Sequence, residues 1–132
     1  MKIAILSTLF FMCMNLSATE KTNPFVSSFK QSSTSNAFLF LRGHKQGQGH
    51  NLQWSMNSNS GIEKFRVEFT YEDASDPYSN WYTAGMVNNT NSNIFKFTDM
   101  GCAAGYINYR VIALMNNNGG SVVSQTYSCI IN

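Results

Sequence analysis

Residues 105–115 read Gly-Tyr-Ile-Asn-Tyr-Arg-Val-Ile-Ala-Leu-Met, pass through Asn116-Asn117-Asn118-Gly119-Gly120 and return as Ser121-Val122-Val123-Ser124. β-Branched and aromatic side chains dominate both arms, and such residues suit a pleated, half-buried surface. The Asn-Gly pair between the arms supplies the positive φ angles that a tight hairpin turn needs. The stretch therefore predicts a long β-strand, a turn and a returning strand, and the remaining strands are organised around that hairpin.

The clearest of those remaining strands lies at residues 64–71. Phe65, Val67, Phe69 and Tyr71 fall on one face, while Lys64, Arg66, Glu68 and Thr70 fall on the other. Period two of this kind predicts a strand with one face on a core and one in water, and it excludes a helix. Residues 37–42 form another strand-like run, followed by a glycine-rich turn over 43–49. Leu52, Trp54 and Met56 then alternate with Asn51, Gln53 and Ser55, with Trp54 assigned to the core. Residues 57–61 turn, 72–80 form a loop around Asp76-Pro77, 81–87 make a strand, 88–93 turn, and 94–98 make another strand. Seven short strands with no helical periodicity predict an all-β chain folded as an antiparallel β-sandwich.

The chain begins differently. Met1-Lys2 is a short positive start, residues 3–14 are almost unbroken apolar, and Asn15-Leu16-Ser17-Ala18 is a polar exit of mostly small residues. That pattern is a secretory signal peptide, with cleavage expected after Ala18 and export to the periplasm or beyond the cell. The apolar run is too short to span a bilayer, which takes ~20 residues. Cys13 lacks the small residues before it that a lipid-anchoring signal carries. Residues 19–36 are rich in Ser, Thr, Lys and Asn, with Phe25, Val26 and Phe29 as their apolar anchors, and read as a polar arm or linker. Residues 37–132 then make one domain. Nine Lys plus Arg stand against seven Asp plus Glu, scattered along the chain. Neither nucleic acid nor an anionic membrane is the expected partner, because both require a concentrated basic field.

The order and spacing of Leu52-Gln53-Trp54, Gly61-Ile62, Phe65-Arg66-Val67-Glu68-Phe69, Tyr109-Arg110-Val111-Ile112-Ala113 and Gly119-Gly120-Ser121 resemble the fibronectin type III fold. The resemblance spans residues 37–132 and is nearest to the fibronectin type III and immunoglobulin-like modules of secreted bacterial proteins. It implies a buried Trp on the second strand and a mostly non-catalytic role as spacer, adhesion module or accessory domain. The family closes a corner with a Tyr that bonds upstream backbone. The matching position here is Ile107, so Tyr106 or Tyr109 takes that place from a shifted register, or the corner is absent. The Pro of the family's Leu-x-Pro-Gly is missing from residues 100–105, and no Arg-Gly-Asp sits in the last turn.

With Cys13 in the signal peptide, Cys102 and Cys129 remain, an even number in an exported chain. A disulfide between them would close a loop of 28 residues and contribute about 3 kcal/mol by restricting the unfolded chain. The alternative is a pair of unbridged thiols that act as small hydrophobes.

Candidate chemistry is sparse. His44 and His50 flank a glycine-rich segment, but two imidazoles without a third ligand make a poor metal site. Glu72, Asp73 and Asp76 lack the spacing of a calcium loop and have no opposing acid for glycoside cleavage, so a hydrated loop is expected. Tyr78, Trp81 and Tyr82, set among Asn and Ser, offer a platform on which sugar rings could stack, although period two sends either Trp81 or Tyr82 toward the core. Ile112 and Leu114 stand where polar residues are expected on the outer face of the long strand, which marks a partner surface or one covered by the N-terminal arm. The chain is thus expected to be a non-enzymatic binding, adhesion or structural module that contacts protein, without cofactor or metal. Carbohydrate binding through exposed aromatics is the alternative, and a small exported hydrolase or metal-binding protein comes third.

Overall fold

A computed structural model describes residues 37–132. The expected signal peptide (1–18) and the polar arm (19–36) lie outside the described residues. Eight strands follow one another: β1 (Phe38–Gln46), β2 (Gly49–Met56), β3 (Ile62–Thr70), β4 (Tyr82–Asn88), β5 (Ile94–Asp99), β6 (Gly105–Met115), β7 (Ser121–Val123) and β8 (Tyr127–Ile131). They form two sheets, one in the order β1-β2-β5 and one in the order β4-β3-β6-β7, with β8 also paired to β6. Every pairing is antiparallel. Among the described residues no helix is long and apolar enough to cross a membrane.

The core lies between the sheets because alternate residues of each strand turn inward. Leu52 and Trp54 of β2 meet Phe65 and Val67 of β3 and Ile107, Tyr109, Val111 and Ala113 of β6, all fully buried. Trp54 stacks on Phe95 at 5.9 Å and meets Phe65 edge-on at 5.5 Å, so one indole joins both sheets. Its indole N–H has no hydrogen-bond partner, an energetic debit that the surrounding aromatic contact offsets.

Four features differ from the sequence reading. Residues 43–46 continue β1, leaving a two-residue turn at Gly47 and Gln48 where Gly47 takes φ 61°. In the last hairpin the left-handed residues are Asn117 (φ 56°) and Asn118 (φ 57°), with Gly120 at φ 95°, so the asparagines supply most of the turn geometry expected of Asn-Gly. The returning arm is two strands. At Ser124 the side chain intrudes on the ladder, its hydroxyl accepting the Val111 N–H at 2.9 Å and donating to the Gln125 carbonyl. Finally, the outer face of β3 is partly covered. Glu68 and Thr70 are buried, Glu68 between Arg66 and Arg110, and Thr70 opposite Asn108.

Candidate functional site

Loop 71–80 folds over the outer face of the larger sheet and leaves a groove of about 650 Å³ beside it. The loop keeps this shape because its polar side chains bond its own backbone. The Asp73 carboxylate accepts the Ser75 N–H at 2.9 Å and the Ser75 hydroxyl at 2.7 Å, and Asp76 accepts the Tyr78 N–H at 2.9 Å. Glu72 accepts the Asn80 N–H at 2.8 Å and the Asn80 amide at 3.1 Å. These bonds hold both acids below the usual carboxylate range, Glu72 chiefly through the Asn80 backbone and Asp73 chiefly through the Ser75 backbone.

Asn108 forms the floor. It faces outward on β6, yet it is only 1% exposed, because its amide donates to the Glu72 carbonyl at 2.9 Å while its oxygen accepts the Ser128 hydroxyl of β8. One side chain thus ties loop, central strand and C-terminal strand together. Two tyrosines complete the walls. Tyr71 is 42% exposed, stands edge-on to Phe69 at 5.6 Å, and accepts the Ala103 N–H on its hydroxyl at 2.9 Å, so its ring is fixed in place. Tyr106 is 56% exposed and lies on β6 opposite Ile130. The hydroxyls of Thr126 and Ser75 also line the groove.

Of the residues singled out from sequence, Tyr78, Trp81 and Tyr82 do not line this groove. Tyr78 is 89% exposed on the loop. Trp81 precedes β4 and carries the Arg110 guanidinium 3.9 Å above its ring, and Tyr82 tilts against Phe69 at 5.7 Å. The aromatics that share a concave surface are Tyr71 and Tyr106. Strand alternation assigned Tyr71 to the core, and only the reversal of the chain after Thr70 frees it.

Ile112 and Leu114, expected to meet a partner or to lie under the N-terminal arm, are not fully exposed. Ile112 is 5% exposed, set between Arg66 and Val123 in the sheet register, and Leu114 is half-buried.

A second polar cluster is enclosed at the end of the sandwich. The His50 ring is 4% exposed and stacks between Tyr109 and Tyr127, each 5.7 Å away. Burial, with the His44 charge, lowers its pKa against the opposing pull of Asp99. His44 is exposed, so the two imidazoles do not converge. Among the described residues no three or more His, Cys, Asp or Glu side chains group so as to hold a metal ion. The disulfide expected between Cys102 and Cys129 is not formed, and both are free thiols. The Cys102 sulfur lies 3.6 Å from the Asp99 carbonyl and the Cys129 sulfur 3.6 Å from His50 Nε2, so each is engaged by a different neighbour. Burial pushes the Cys129 thiol upward.

No known family profile matches the sequence, and no curated protein matches it. Solved structures do resemble the fold. The pectate lyase Pel3 from Pectobacterium carotovorum aligns with a TM-score of 0.56 and 19% identity, over 67% of this chain and 26% of that one. An Fn3-like protein from Clostridium thermocellum aligns with a TM-score of 0.48 and 21% identity, over 67% of this chain and 84% of that one. The pectate lyase PelI from Erwinia chrysanthemi, in complex with tetragalacturonic acid, aligns with a TM-score of 0.48 and 18% identity, over 67% and 26%. The chain therefore spans only 26% of the length of either lyase, and the likeness to Pel3 shows the fold alone, an antiparallel β-sandwich.

Proposed function

We propose that this domain is a non-catalytic carbohydrate-binding module of an exported protein, with the groove between Tyr71 and Tyr106 as its site. The observation that carries the reading is the placement of two exposed tyrosine rings in one groove, beside Thr126 and above a floor held in place by Asn108. Sugars present apolar C–H faces ringed by hydroxyls, so they are held by fixed aromatic rings beside neutral hydrogen-bonding groups. Protein contact was the first expectation from the sequence, and the open groove lined by two tyrosine rings supports carbohydrate ahead of it.

The state of the acids speaks against a general-acid role for them and so supports binding. A general acid needs a raised pKa, and Glu72 and Asp73 are both held down by hydrogen bonds inside the loop. The lyases that share the fold carry it as a fraction of their length, which suits an accessory domain. The buried Trp54 supports placing the sandwich with the fibronectin type III group, whereas Tyr109 bonds the Asp99 carboxylate and not the upstream backbone that the family's corner tyrosine bonds. The apolar run at 3–14 supports export.

A glycan array probed with the protein, followed by titration of the hits, tests the reading. Tyr71→Ala and Tyr106→Ala are each expected to weaken binding about tenfold, the 1.4 kcal/mol scale of one stacking ring. Tyr78→Ala and Tyr82→Ala are expected to leave it unchanged. Silence across the array, or binding that survives the Tyr71/Tyr106 double substitution, overturns it.

A further inference from the structure

We infer that the groove takes an uncharged glycan and turns away polymers of uronic acids. The inference rests on the carbohydrate reading above and narrows its ligand class. Among the described residues lining the groove, the charged ones are Glu72 and Asp73, and none is Lys, Arg or His. Both acids stay ionised across the physiological range because the Asn80 and Ser75 bonds favour the carboxylate form.

The nearest outward-facing cation along β6 is Arg110, and it is already committed. Its Nε and Nη2 each lie 2.8 Å from Glu68 Oε2, and its guanidinium rests on Trp81. Among the described residues lining the groove, no positive partner is therefore presented to a sugar carboxylate, which would be recognised by a forked Arg or a Lys. The groups that remain for recognition match hydroxyls and C–H faces: the Thr126 side chain, the two rings, and the Ser75 and Ser128 oxygens as acceptors, their protons being given to Asp73 and Asn108. A polyuronate brings one negative charge per ring against two fixed negative charges, a repulsion that salt weakens over a Debye length of about 10 Å.

The full chain titrated with neutral hexaoses of glucose, xylose and mannose, and with hexagalacturonate in the presence of a chelator, decides the matter. The expected result is a neutral hexaose bound at least about tenfold more tightly than hexagalacturonate, with hexagalacturonate binding rising as salt is added. The Glu72→Gln/Asp73→Asn variant is expected to narrow that gap by binding hexagalacturonate more tightly and with a weaker salt dependence. Hexagalacturonate bound as tightly as the best neutral ligand, with chelator present, overturns the charge argument while leaving carbohydrate binding standing. Failure of every oligosaccharide overturns both.

Discussion

The Tyr109 hydroxyl donates to Asp99 Oδ2 at 2.9 Å, and the other oxygen of the same carboxylate accepts the Gly101 N–H at 2.9 Å. A single acid at the end of β5 thus fastens the core of β6 and starts the crossing that leads to it. Burial, and then this bond, push the Tyr109 phenol well above its ordinary range, so the proton stays on the tyrosine. Tyr109→Phe keeps the ring and leaves the buried carboxylate short of a donor. The expected loss is about 1–3 kcal/mol of stability, read as a lower urea midpoint with unchanged m-value.

His50 gives the fold a pH dependence. Its pKa is lower folded than unfolded, so below the ordinary histidine value of about 6.5 the unfolded chain binds the extra proton first. This contribution is fully present above that value and is lost as pH falls through it toward the folded-state pKa. The slope is at most about 1.4 kcal/mol per pH unit. Melting curves from pH 8 to pH 5 are expected to show the decline, and His50→Gln is expected to flatten it.

Gly85 of β4 has no room for a side chain. A Cβ there would stand 2.5 Å and 2.7 Å from two ring atoms of Phe97, which reaches across from β5. Gly85→Ala is expected to cost about 1–3 kcal/mol through displacement of that ring, measurable as a drop in melting temperature.

Glu68 gathers two arginines, with Arg66 at 2.7 Å and Arg110 at 2.8 Å, while itself buried. Glu68→Gln removes the charge that aligns Arg110 over Trp81. Destabilisation of about 1–3 kcal/mol is expected, together with a change in tryptophan fluorescence as the cation leaves the indole face.

Much of the architecture was legible because period two survives wherever one sheet face is dry. Phe65 and Val67 announced themselves in this way, as did Trp54. What escaped was set by hydrogen bonds that carry no periodicity. The intrusion of Ser124, which divides the last arm into β7 and β8, depends on a hydroxyl replacing a ladder bond. The groove escaped for a related reason. Tyr71 reads as the next inward residue of β3, and its release depends on the self-bonded loop that begins at Glu72. Asn108, polar in a strand of apolar neighbours, was the signal that could have pointed there.

The interruption at Ser124 also divides the labour of the C-terminal arm. β7 closes the hairpin next to β6, whereas β8 holds the far end of β6 through residues 127–131 and contributes Ser128 to the groove. The wall that carries Ser128 is therefore held by a ladder separate from that of the hairpin. Ligand seated against it would act as a latch, and amide exchange across residues 127–131 is expected to slow on saturation with oligosaccharide while exchange at Val122 and Val123 does not.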